Sequence, residues 1–200
     1  MATALAGAGN GPCERIVCLG LGHVWTKAGT RQLALLETLR ADATVAKPGA
    51  LVIAADPAFD ERDKAVLAAL RIDVPPTMEL ADKAHATNGQ RTLYFMPHCP
   101  AVLYNNVLWA NWSQKALCDA LIVGNRLVSY LDDGRELPED CECLRKLAHR
   151  ARVLAPQLGK ALEVNSLFEL AFCDMLPHAF FSEDLDLKLF DDIPAPARFD

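Results

Sequence analysis

No apolar run in this chain approaches the roughly 18 residues that a membrane-spanning helix needs. Nor is there a stripe of clustered Lys and Arg with interleaved aromatics. With 20 basic against 26 acidic residues, a formal charge of −6 and a pI near 5.4, the chain lacks the electrostatic grip of a direct nucleic-acid binder. Residues 1–12 are rich in Ala and Gly and lack the basic start and long apolar core of a secretory signal. Residues 1–13 therefore read as a disordered lead-in. Cysteine is not scarce, but seven of them, odd in number and irregular in spacing, fit a reducing compartment better than a disulfide framework. Internal repeats and a credible domain boundary are also missing. The expected location is the cytoplasm, with the nucleus also open, and the expected partners are a small molecule or a regulatory protein rather than nucleic acid or membrane.

What is present is an alternation of short apolar runs and helical patterns. Ile16 to Gly20 and Ala50 to Ala55 read as buried strands, and the intervening Thr30 to Leu39 carries Leu33, Leu36 and Leu39 at helical spacing. Lys47-Pro48-Gly49 reads as a chain break. Asp60 is placed to cap a helix from Glu61 to Leu70. Ile72 to Val74, Thr92 to Met96 and Leu121 to Gly124 are further strand candidates, with a helix from Ala101 to Lys115 between the last two. Leu137 to Leu162 is helical in pattern with a break at Pro156, and Ala179 to Phe181 reads as an edge strand. Strands alternating with helices predict a single α/β domain over residues 14–182, a Rossmann-like three-layer sandwich with a mainly parallel sheet. Residues 183–200 form an acidic, proline-containing tail that reads as loosely packed.

The most specific stretch is Met96-Pro97-His98-Cys99-Pro100, where an apolar strand stops on a proline and a second proline opens a helix. Strand ends that face a helix start are where α/β sheets keep their binding sites. With Tyr104-Asn105-Asn106 and Trp109-Ala110-Asn111-Trp112 this stretch resembles the signature of the Sensitivity-to-Red-light-Reduced family. Gly20-Leu21-Gly22 with Gln32 to Leu36, Asp56-Pro57-Ala58-Phe59, Ile122 to Asn125, and Ala171 to Asp174 leading to His178 and Phe180-Phe181 fit the same family in order. His23, Arg126 and Cys173 depart from it, standing where serine, serine and asparagine are usual. The resemblance implies an intracellular regulatory protein connected with haem biosynthesis and with clock- and light-responsive gene expression. It brings no established catalytic mechanism.

Each candidate residue has a chemical and a plainer reading. Gly20 and Gly22 allow a tight turn that can bring amides to an anion, but no third glycine completes a dinucleotide fingerprint. Asp56, ending the second strand, could receive ribose hydroxyls or simply close a turn. With the loop after Met96, this layout is that of S-adenosylmethionine-dependent methyltransferases, an analogy of position only. Cys99 could be a nucleophile if His178 or Asp174 met it, or a haem-iron ligand presented outward by Pro100 with His98 as alternative axial ligand. The plainer reading makes Cys99 a small buried group and His98 a satisfied cleft residue. Cys141, Cys143 and His149 make a poor metal set on a charged helical stretch. Trp109 and Trp112 sit at core spacing. Asn111 is an amide among apolar neighbours that must find partners, and Asn125 is either a turn residue or a cleft amide. His98, Asp56, Asn125 and His178 could form one polar cluster, with Asp174 leaning over the same strand ends.

Overall fold

A computed structural model describes residues 11–76, 85–132, 137–154 and 175–197. Among them the chain forms β1 (Cys13–Leu19), α1 (Lys27–Ala41), β2 (Ala46–Ala55), α2 (Glu61–Ala69), β3 (Thr92–Met96), α3 (Ala101–Ala110), α4 (Gln114–Cys118), β4 (Ala120–Asn125), α5 (Ser129–Asp132), α6 (Glu142–Leu147), β5 (Arg152–Val153) and β6 (Met175–Ala179). Three 3-10 turns follow α6 and β6, the last at Leu187–Phe190. The fold is mixed α/β.

The six strands form one sheet in the order β2-β1-β3-β4-β6-β5. β2, β1, β3 and β4 pair in parallel, whereas β6 is antiparallel to both β4 and β5. The sheet is therefore mixed, which corrects the expectation of a mainly parallel one. The expected edge strand is also misplaced. β6 lies inside the sheet, and the edge is the two-residue β5, formed where the pattern read as helix. Pro177 argues locally against an interior strand because it lacks a ladder donor. Its carbonyl still accepts from Leu154 N at 3.0 Å.

Alternating side chains send the two faces of the sheet into separate cores. Ile16, Cys18, Val52, Leu93, Phe95 and Val123 meet Leu33, Leu36 and Leu39 of α1 and Leu67 of α2. Val17, Leu19, Tyr94, Met96 and Ile122 meet Leu103, Tyr104 and Val107 of α3 and Leu144 and Leu147 of α6. At 25 cal/mol per Å2, each such side chain contributes about 1.5–3 kcal/mol. Local signals set the element ends. Thr26 caps α1 through Gly29 N at 3.0 Å, and Asp60 caps α2 in a reciprocal box with Asp63. The expected helix from Ala101 to Lys115 breaks at Asn111, because Ser113 starts a new helix by accepting from Ala116 N at 3.2 Å. Lys47-Pro48-Gly49 lies within β2 as an irregularity in its pairing with β1 rather than before it. Ile72 to Val74 supplies a single bridge, Asp73 to Ile53.

Candidate functional site

The four parallel strands end in loops that carry Gly20 and Gly22 after β1, Asp56 after β2, His98 and Cys99 after β3, and Asn125 at the end of β4. Gly20 and Gly22 both take the left-handed region, at φ +73 and +63. Gly22 N donates to Asp56 Oδ2 at 2.7 Å, and Ala58 N donates to Asp56 Oδ1 at 2.8 Å. Asp56 thus closes its own turn and fastens the glycine loop to the end of β2. Beside this loop, His23 Nδ1 lies 2.7 Å from Oδ2 of Asp63. Asp63 is fully buried and also accepts from Val24 N at 2.8 Å and Asp60 N at 2.9 Å. The His23 ring stacks on Trp25 with centroids 5.0 Å apart.

The loop after β3 is held by a polar brace. His98 adopts φ +53, a conformation that costs a non-glycine residue about 1–2 kcal/mol. Its amide donates to Asn125 Oδ1 at 3.1 Å. Asn125 Nδ2 donates to the Tyr130 hydroxyl at 2.7 Å, which in turn donates to Cys99 O at 2.6 Å. The Tyr104 hydroxyl donates to Met96 O at 2.6 Å and accepts from Asn125 N at 2.7 Å. Gly124 leaves room for that hydroxyl, since a Cβ there would overlap it. Tyr104, Tyr130, His23 and Asp63 escaped the candidate set. A buried acid at the third position of a capped helix was the one readable signal among them.

The expected polar cluster comes together only in part. Asn125 meets His98 directly, and Asp56 joins the strand-end array through Gly22. His178 sits on β6 opposite Ile122, 2% exposed, with Nε2 accepting from Leu127 N at 3.5 Å. It is a core histidine of the sheet. Asn111 caps the far end of α3. Its Oδ1 accepts from Thr87 N at 2.8 Å, and its Nδ2 donates to His85 O, Tyr94 Oη and Val107 O. It therefore ties down the segment before β3, at the opposite end of the sheet from the cleft. Asp174, like Cys173, lies outside the described residues.

A family model described as "SRR1 domain" matches residues 3–182, which include every one of these strand-end residues. The chain belongs to the SRR1-domain family. It is 37% identical over 112 residues to an SRR1-like protein of Mus musculus, covering 56% of this chain and 43% of that one. The SRR1-like protein of Drosophila melanogaster is 32% identical over 175 residues, 87% of this chain and 58% of the relative. Protein SENSITIVITY TO RED LIGHT REDUCED 1 of Arabidopsis thaliana is 29% identical over 134 residues, 67% of this chain and 46% of the relative. The chain thus spans about half the length of the curated relatives it matches. No solved structure matches it.

The chemistry open to this SRR1 domain follows from burial. Cys99 is 3% exposed, with its thiol directed at Leu19 O, 3.2 Å away, and burial pushes that thiol far above its ordinary range. A Cβ placed on Gly20 would lie 2.5 Å from Cys99 Sγ, so the sulfur is packed under the glycine loop. A neutral, inward thiol of this kind does not fit a haem-iron ligand, which corrects the outward placement expected from Pro100. His98 is exposed at the cleft. His23, Asp60 and Asp63 are the described residues that gather as a metal set. Asp63 is fully engaged by His23 and two amides, and Asp60 Oδ1 accepts from Arg62 N and Asp63 N, so capping accounts for this group. The hydrogen bond to Asp63 raises the pKa of His23. Burial acts to raise Asp63, but the Asp60 amide, His23 and the Val24 amide hold it below the usual carboxylate range. A cavity of about 290 Å3 opens beside Asp56, lined by Pro57, Phe59, Lys64 and Val74 among others. No helix among the described residues is long and apolar enough to cross a membrane.

Proposed function

We propose that this chain is a regulatory protein that senses a small polar metabolite at the C-terminal ends of its parallel strands. The cavity beside Asp56 carries this reading. One wall is a carboxylate fixed by two amides, and Lys64 lines the same cavity with its ammonium paired to Glu61 at 2.8 Å. At about 290 Å3 it is at the lower end of small-molecule sites, the size of a metabolite rather than a macrocycle. Family membership supports placing the chain in the regulation of haem biosynthesis and of clock- and light-responsive gene expression, in the cytoplasm and the nucleus. A precursor acid of the haem pathway is then a better candidate than haem itself. The partners are that metabolite and a regulatory protein, with no direct contact to nucleic acid or membrane. The parallel β2-β1-β3-β4 part of the sheet, with helices on both faces, supports a Rossmann-like three-layer reading of a single domain over residues 14–182.

The test is a thermal-shift titration with porphyrin-precursor carboxylic acids, ferric haem and S-adenosylmethionine, on wild type, Lys64→Ala and Cys99→Ala. A ligand at a hundred times its Kd adds about 2.7 kcal/mol. For a chain of this size that is roughly 5–10 °C in Tm. A saturable shift with a precursor acid that Lys64→Ala abolishes supports the reading. Absence of any saturable shift ends it.

A second reading, an enzyme using a nucleotide cofactor such as S-adenosylmethionine, is favoured by one observation. His23 is oriented by buried Asp63 beside the glycine loop, the arrangement of a general base held by a carboxylate. Against it, both oxygens of Asp56 already accept main-chain amides, which weakens the case for ribose recognition there.

A further inference from the structure

The tail expected to be loosely packed lies instead along the signature helix. Asn106 Nδ2 donates to Ala197 O at 3.1 Å, and Ala197 N donates back to Asn106 Oδ1 at 2.9 Å. Trp109 Nε1 donates to Pro194 O at 2.7 Å, and Trp112 Nε1 donates to Asp192 O at 2.9 Å. The Trp112 ring meets Phe190 edge-on, with centroids 5.5 Å apart. Asn106 and Trp109 on α3 and Trp112 just past its end form one row, and the tail runs past them in the opposite direction.

Every one of these hydrogen bonds ends on a main-chain atom of the tail. The groove therefore reads an extended backbone, and it constrains side chains at Phe190, packed edge-on against Trp112, and at the buried Pro194 and Ala197, whereas Ile193 and Ala195 are exposed. Two buried residues three apart match one period of a polyproline-type strand, and aromatic-lined grooves are the usual means of holding one. The family model ends at residue 182, so the groove lies within the family domain and its occupant lies beyond it.

We propose that the Asn106–Trp109–Trp112 row is a docking groove for an extended, proline-containing segment of a partner protein with the pattern Pro-x-x-small, and that residues 190–197 fill it in cis. The groove shares no residue with the strand-end cleft, so this inference stands or falls separately from the metabolite reading. A tethered occupant competes at millimolar effective concentration, so a partner segment binds weakly until the tail is released.

The probe is a fluorescein-labelled peptide of residues 187–197, followed by anisotropy against the full chain. The tail-releasing variant Ala197→Arg places a large charged group where the side chain is fully buried against Asn106. It should bind the peptide roughly a hundredfold more tightly than wild type. Asn106→Ala or Trp109→Phe, added to that variant, should remove the gain, and a peptide with Pro194 and Pro196 replaced by Gly should bind poorly. Should Ala197→Arg unfold, a protease site inserted between Leu185 and Leu187 and cut after folding gives the same readout, as displacement of the tail fragment by excess peptide. Equal affinity of wild type and released chain, or no binding to a released chain that remains folded, overturns the proposal. A dimer with exchanged tails also overturns it, in favour of self-association.

Discussion

Tyr104→Phe removes one oxygen from the centre of the brace and leaves the ring. The hydroxyl serves two partners, Met96 O at 2.6 Å and Asn125 N at 2.7 Å, and the side chain is fully buried. Deleting it leaves a carbonyl and an amide without that partner, each a cost of about 1–3 kcal/mol. Asn125 is only partly buried, so its amide belongs at the low end and the Met96 carbonyl in the middle, for a sum of about 3 kcal/mol. At 2–4 °C per kcal/mol for a chain of this length, Tm should fall by about 6–12 °C. The assay is calorimetry with a parallel urea titration, in which the midpoint moves and the slope does not. Hydrogen exchange should show the amides of His98 and Cys99 opening faster, while those of β1 follow the global change. A Tm within about 1 °C of wild type would refute the view that this hydroxyl holds the loop.

Gly20→Ala should destabilise through its positive φ, about 1–2 kcal/mol, and through overlap with Cys99 Sγ, about 1–3 kcal/mol more. Cys99→Ala in that background should recover the second part, so strictly additive effects in a double-mutant cycle would refute the contact. Burial pushes the pKa of His178 down to about 4. The unfolded chain therefore takes up the proton first, and this residue lowers stability as pH falls from 6.5 to 4; His178→Phe should flatten that slope, measured by urea midpoints across the range. His23 acts in the opposite sense because its pKa is raised, so its contribution is complete below the unfolded value of 6.5 and fades as pH rises through the folded value. An NMR titration should place His23 above 6.5 in wild type and return it toward 6.5 in Asp63→Asn.

The parallel strands and their helices were legible because their cues are local. Ile16 to Gly20 is an unbroken apolar run, and Asp60 precedes a helical stretch with its capping partner three residues on. The loop residues after β1, β2, β3 and β4 were legible for the same reason, since each follows a strand. What escaped depends on distant partners. The direction and interior place of β6 come from pairing with β4 about fifty residues earlier, and Pro177 points locally the other way. His23 gains its partner forty positions downstream, and the tail gains its own from a helix more than eighty residues upstream. Asn111 was correctly marked as an amide needing partners, but nothing local says which end of the sheet supplies them.

The strand order also sets a timetable for synthesis. β4 ends at Asn125, and the strand that covers its free side, β6, begins at Met175. At 5–20 residues per second, a ribosome needs roughly 3–10 s to make the intervening chain. Throughout that interval the nascent protein carries Leu121, Ile122 and Val123, all destined for full burial, with one row of backbone groups unpaired. Chains halted between residues 126 and 174 should therefore engage chaperones or aggregate, whereas chains released after residue 179 should not.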